Sequence, residues 1–260
     1  MKPIRTLALA AAVSALATGA YASTFTLTFQ GGTASGSARI TQATPDHTSG
    51  NLNVGAYGFR MVGDSDAPIY LQDEFVAWCL DIAGRLNTGD PGANYKITND
   101  PYANSFGLDS VQRKAVQAVF DANYSTVESN LGTNNIGTNR VQAGFQIALW
   151  GAVYQAADVV AGTLTDFFTT GSFQVSSSGT TNNALTDAHT YLLNAFNHID
   201  SGGSRVYTLT FLETTDSTNP RPQNLVTTAI PLPATGFLML SVMGLGGIGV
   251  MARRRRDKAA

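Results

Sequence analysis

The stretch Phe75-Val76-Ala77-Trp78-Cys79-Leu80-Asp81 carries the only cysteine in a chain of 260 residues. An ionised thiol is both a strong nucleophile and a good leaving group, so Cys79 is the first residue to ask for chemistry. One cysteine cannot close an internal disulfide, and a free thiol outside the cytoplasm is oxidised unless it is buried or already bonded. The residue types leave two readings open: a small apolar side chain in a core strand, or a reactive group. A Cys–His hydrolase would need His47, His189 or His198 as base. No Gly-x-Ser-x-Gly, His-Glu-x-x-His or cysteine-protease signature surrounds any of them, so no enzyme activity is assigned. Gly63-Asp64-Ser65-Asp66 and the 87–104 segment, with Asp90, Asn94, Asn99 and Asp100, offer oxygen ligands. Neither fits a twelve-residue calcium loop, and such turns form without metal, so no metal and no cofactor are expected.

A second stretch bears on the thiol. Phe145-Gln146-Ile147-Ala148-Leu149-Trp150 reads as mid-helix, with Gln146 beside the apolar stripe and Trp150 one turn on over the same patch. The pairing of Trp78-Cys79-Leu80-Asp81 with Gln-x-Ala-hydrophobic-Trp at 146–150 resembles the thioester domains of bacterial surface adhesins. The resemblance spans about Glu74 to Gln155. It implies that Cys79 supplies the thiol and Gln146 the acyl group of an internal thioester, formed with loss of ammonia, with Trp78, Asp81 and Trp150 in support. The residue before the glutamine, often Thr in that family, is Phe145 here. A thioester is an activated acyl group: an incoming amine or hydroxyl takes the glutamine carbonyl and the thiolate leaves, a single-use attachment and not turnover. The two tryptophans would shield the bond from water. The alternative is a non-covalent module for extracellular matrix or polysaccharide, with Cys79 buried and Tyr57, Tyr70, Tyr95, Tyr102 and Tyr124 stacking on sugars.

The elements that must hold these residues alternate in type. Segments 23–30, 36–42, 52–62, 74–82 and 206–215 are β-rich or alternate polar with apolar residues between Gly, Asp and Asn turns, which predicts strands. Helical periodicity runs over 110–124, 139–157 and 183–199, the first capped by Asp109 or Ser110. Strands, then helices, then a strand predict an α+β fold: an antiparallel sheet or barrel with a helical insert.

Both ends look like export signals. Residues 1–22 combine Lys2 and Arg5, an apolar run from Leu7 to Leu16 and an Ala20-Tyr21-Ala22 cleavage site, which predicts a secretory signal peptide. At the other end, residues 230–260 read as a Pro-containing motif, an uncharged apolar helix from Phe237 to Ala252, and Arg253 to Arg256. Ile230-Pro231-Leu232-Pro233-Ala234 resembles the VPLPA form of the PEP-CTERM sorting signal, with Ile for Val. That resemblance implies an exosortase-type processing enzyme and transient membrane insertion through the helix. Leu232-Pro233-Ala234-Thr235-Gly236 also satisfies the LPxTG pattern cut by sortase, and an uncleaved single-span anchor stays open. The Gly-Leu-Gly-Gly-Ile-Gly run inside the tail has no preceding strand and no following acid, so it is not a dinucleotide site.

Between the signals, residues 23–229 make one exported domain. They keep nine of the chain's 16 basic and 17 of its 18 acidic residues, a formal charge of −8. That sign excludes nucleic acid as a partner and gives no attraction to an anionic membrane surface. Partners are expected among extracellular polysaccharides or surface proteins.

Overall fold

The structure, a computed structural model, describes residues 24–86, 92–131, 136–218 and 220–228. The segment 1–22 expected to be a signal peptide, the motif Ile230-Pro231-Leu232-Pro233-Ala234 and the 237–252 segment expected to be an apolar helix lie outside those residues. Among the described residues, no helix is long and apolar enough to cross a membrane.

Strands β1 (Phe25–Gly32), β4 (Phe59–Gly63), β5 (Phe75–Cys79), β9 (Leu225–Thr227), β8 (Thr210–Thr214) and β6 (Ala93–Ile97) close, in that spatial order, into an antiparallel barrel. A separate sheet joins β3 (Leu52–Gly55), β2 (Ser37–Ala43) and β7 (Phe173–Ser176). The short α1 (Ile69–Gln72) precedes β5, and α2 (Ser110–Glu128), α3 (Ile136–Tyr154), α4 (Ala156–Ala161) and α5 (Ala184–Asp200) are inserted between β6 and β8. The expected α+β class with a helical insert is what is found, and of the two alternatives, sheet or barrel, the barrel is realised.

Local chemistry explains the elements. In β1 the alternation Phe-Thr-Leu-Thr puts Phe25 and Leu27 in the core and the threonines toward the outside. Helix α2 starts at Asp109, whose carboxylate accepts from the amides of Val111 and Gln112, while the Gln112 side chain accepts from the Asp109 amide: a reciprocal capping box. Strand β5 departs from alternation, because Ala77, Trp78 and Cys79 are all buried. It has the barrel on one face and the helical layer on the other, so both faces must be apolar.

The strand expected over 52–62 is two strands in two different sheets, broken at Ala56-Tyr57-Gly58. The amide of Ala56 donates to Gly36, the amide of Gly58 to the side chain of Gln142 on α3, so the break is bonded rather than loose. The helix expected to run to 157 ends at Tyr154, and α4 restarts after Gln155, whose side chain accepts from the Phe173 amide and caps β7 instead. Strand β6 falls inside the 87–104 segment that offered oxygen ligands. No cluster of three His, Cys, Asp or Glu able to hold a metal occurs among the described residues.

Candidate functional site

Strand β5 ends at Cys79 and pairs antiparallel with β9, setting Trp78 opposite Val226 and Cys79 opposite Leu225. The register continues one step past both strands, since the Leu80 amide donates to the Asn224 carbonyl at 3.0 Å. In this register Gln223 is the diagonal neighbour of Cys79 on the same face, within reach of a long side chain across roughly 7–8 Å of backbone. The reach is used: the Cys79 thiol donates to Gln223 Oε1 at 2.5 Å, with both residues buried. Gln223 Nε2 donates to the Asp81 carbonyl at 3.2 Å, and the Tyr95 hydroxyl donates to the Gln223 carbonyl at 2.9 Å. The carboxamide is thereby held with its oxygen at the sulfur and its nitrogen turned away.

Gln146 serves a different end of the same residue. Its Oε1 accepts from the Cys79 amide at 3.0 Å and its Nε2 donates to the Cys79 carbonyl at 2.7 Å. Strand β4 stops pairing with β5 at Phe59–Ala77, so the edge of Cys79 would otherwise be buried without a partner. The Gln146 amide stands in for the missing strand. The Gln146 carboxamide, expected to supply the acyl group, is bonded to the Cys79 backbone, and the carboxamide at the sulfur belongs to Gln223.

Asp81 is fully buried and ties the two chain segments of the site together. Its Oδ2 accepts from Arg221 Nη1 at 3.0 Å and from the Asn224 amide at 2.9 Å, and its Oδ1 from the Gly84 amide at 3.1 Å. Burial pushes its carboxyl above the usual range, opposed by the Arg221 charge and these hydrogen bonds. Burial also pushes the Cys79 thiol well up, reinforced by the Asp81 charge. A thiol in that setting is not an ionised free nucleophile at neutral pH. Past Asp81 the chain turns back along residues 221–223: the Arg85 amide donates to the Arg221 carbonyl at 2.9 Å, and Gly84 lies directly on Gln223.

Trp78 faces away from the thiol. Strand alternation turns Trp78 to the face opposite Cys79, where its ring meets Phe145 edge-on at 4.8 Å and Tyr124 at 6.4 Å. Phe145, in the place where Thr is common, fills that aromatic cluster with Phe120 and Tyr191. Trp150 is buried one turn beyond Gln146, and its indole nitrogen has no hydrogen-bond partner among the described residues. Of the tyrosines considered for sugar stacking, Tyr95, Tyr102 and Tyr124 are core residues, which removes them from any surface; Tyr57 and Tyr70 are half-buried. His47 Nε2 contacts the Gly50 carbonyl, His189 Nε2 the Leu164 carbonyl, and His198 lies 3.8 Å from Asp121. The polar group at the Cys79 sulfur is an amide, not an imidazole.

A cleft lies beside the site. An open cleft of about 350 Å³ is lined by β3, Tyr57, Phe59, Ile82, Gly84, Arg85, Leu86 and Gln223, and Cys79 is not part of its wall. Gln223 keeps 8% of its surface exposed and Cys79 none. The acyl side of the pair faces the cleft and the sulfur lies behind it.

Gln223 was missed in the sequence because Pro222-Gln223-Asn224-Leu225-Val226 is too short to show strand alternation and follows a Pro-rich turn. A polar residue directly before the apolar Leu-Val pair was the available signal.

The chain matches no family model and no curated protein. Among solved structures it is similar to the N-terminal thioester domain of fibronectin-binding protein SfbI from Streptococcus pyogenes. The match covers 68% of this chain and 87% of that one, at 13% identity and a TM-score of 0.38. At that level of likeness, any conclusion about function has to come from this chain's own geometry.

Proposed function

We propose that Cys79 and Gln223 form an internal thioester and that the protein uses it once, to attach itself covalently to a nucleophile on a neighbouring surface or matrix. In bond formation the Cys79 sulfur bonds to Gln223 Cδ, the Cδ–Nε2 bond breaks, and the thiol proton leaves with the nitrogen as ammonia. In attachment an amine or hydroxyl bonds to the same carbon, the C–S bond breaks, and the acceptor's proton ends on the Cys79 sulfur.

The single observation behind this reading is the Cys79 Sγ–Gln223 Oε1 contact of 2.5 Å. It is closer than an ordinary S–H···O hydrogen bond, and it matches the spacing of sulfur and oxygen that share one thioester carbon. The surroundings are consistent with it. The bond would be dry on the sulfur side, and the raised thiol pKa makes thiolate a reluctant leaving group, which protects the bond from water until an acceptor docks. Gln146 and Asp81 act as positioning residues in this reading, holding Cys79 and Gln223 to each other, and neither reacts.

Export, display at the cell surface and processing at Ile230-Pro231-Leu232-Pro233-Ala234 by an exosortase-type enzyme, or by a sortase, belong to the same proposal. They rest on the terminal motifs alone.

The test is the intact mass of the purified 23–229 chain under denaturing conditions, with and without methylamine. The expected result is a chain one ammonia lighter than its sequence, a deficit replaced by one methylamine on Gln223 and lost in Cys79→Ala and Gln223→Ala. A chain with the plain sequence mass, its thiol labelling only after unfolding, overturns the proposal and leaves Cys79 as a core residue of a non-covalent binding protein.

A further inference from the structure

The cleft in front of Gln223 also carries a charge preference. Two of its lining groups among the described residues can ionise, Arg85 and Tyr57. Tyr57 stays neutral at physiological pH, its pKa raised by burial and by the nearby Cys79. Among the described residues Arg85 therefore contributes the one formal charge at the cleft wall, and that charge is positive in a domain whose overall balance is −8. The backbone that carries this side chain is held in place. The Arg85 amide is tied to the Arg221 carbonyl at 2.9 Å, one residue from Gly84, which rests on Gln223. Its guanidinium is exposed and makes no ion pair with any described residue.

An exposed guanidinium on the wall of the cleft that Gln223 also lines does two things. It repels an incoming ammonium, whose deprotonated form must reach the carbonyl, and it attracts a carboxylate or other anion in a forked geometry that orients whatever is attached to it. The rest of the wall supports docking without changing the sign: Tyr57 and Phe59 give an aromatic floor with ring centroids 5.2 Å apart, and Asn53 is engaged with Arg39.

Resting on the thioester reading, we propose that Arg85 is the specificity-determining residue of the attachment and selects acceptors whose nucleophile carries an anionic group beside it. An isolated alkylamine such as methylamine still reacts, but more slowly than an amine flanked by a carboxylate.

The experiment uses the 23–229 chain whose mass deficit has been verified and follows adduct formation by mass with two probes, β-alanine and β-alaninamide. They share the amine and differ in the carboxylate. Because their amines differ intrinsically, the quantity read is the rate ratio of the two probes in each variant. The expected ratio is roughly fivefold higher in the wild type than in Arg85→Gln at low ionic strength, the size of one well-placed exposed ion pair. It falls further in Arg85→Glu and shrinks with added salt. Lys114→Gln, an exposed cation in a separate cleft with Asp121 and His198, leaves the ratio at the wild-type value. Equal ratios in wild type and Arg85→Gln overturn the role of Arg85 while leaving the thioester standing. A wild-type chain with no mass deficit overturns both.

Discussion

Gly84 is where the fold sets the distance between thiol and acyl group. A Cβ built on Gly84 would stand 2.6 Å from Gln223 Cα, 2.8 Å from its backbone nitrogen and 2.9 Å from its Cγ. Two of those atoms are backbone, and that backbone is tied on both sides, by the Tyr95 hydroxyl on the Gln223 carbonyl and by Asp81 on the Asn224 amide. Rotamer adjustment cannot relieve the clash, so in Gly84→Ala the 82–86 and 221–224 segments have to part by roughly 1 Å to reach ordinary van der Waals separation. The overpacking costs about 1–3 kcal/mol of stability. A displacement of that size in the reacting pair slows bond formation about 10²-fold. The assay is the fraction of purified chain one ammonia lighter than its sequence, beside a urea unfolding curve. Gly63→Ala is the matched control: its Cβ would stand 2.6 Å from the Leu71 carbonyl oxygen, an equally rigid clash at the end of β4, where none of the atoms met belongs to Gln223. The expected outcome is similar destabilisation in both variants, with the mass deficit lost in Gly84→Ala and kept in Gly63→Ala. A folded Gly84→Ala chain with the full deficit would refute the claim that this contact sets the approach.

Two further outcomes follow from the hydrogen bonds. Gln146→Ala strips the partners from a buried amide and a buried carbonyl of Cys79, which costs about 2–4 kcal/mol in urea unfolding; in the chain that remains folded, tandem mass spectrometry finds methylamine on Gln223, and methylamine on residue 146 of the wild type would show that Gln146 is the acyl donor after all. Asp64 is desolvated, but its hydrogen bonds from Thr26, Asp66 and Ala67 outweigh that and lower its pKa. Its folded pKa lies below the unfolded one, so its contribution is complete above about pH 4 and is lost as pH falls through the folded value. Asp64→Asn therefore flattens the stability curve below about pH 4 and leaves the plateau near neutrality without an acid-dependent step, measured by thermal unfolding across pH.

Periodicity carried the large elements. Helices α2 and α5 follow their apolar spacing closely, and β1 and β2 their alternation, because each buries one face against one partner. The failures share a cause. The 52–62 segment is uniformly β-like, and only the bonds from Gly58 to Gln142 and from Ala56 to Gly36 divert it from one sheet into the other. Strands β7 and β9 have four and three residues, shorter than one readable period, and exist because a neighbouring edge needs covering. Within the site, Cys79 and Asp81 stood out by type. Gln146 and Gln223 are both buried amides and look alike as letters. Which of them meets the sulfur depends on the β5–β9 register, and register is a long-range property that here brings together residues 144 positions apart in sequence.

The same register explains why a thiol with a strongly raised pKa can sit in a reactive site. On its own, burial of Cys79 argues for inertness, since desolvation and the Asp81 charge both disfavour thiolate. Reactivity in a thioester lies on the carbon, however, and the carbon belongs to Gln223, the partner that reaches the cleft. Antiparallel pairing puts the two side chains on one face, and of the pair only Gln223 lines the cleft. In the proposed thioester an acceptor would therefore meet the carbonyl first and the leaving sulfur last, and the core residue and the reactive residue, offered by the sequence as alternatives, would be two descriptions of one cysteine.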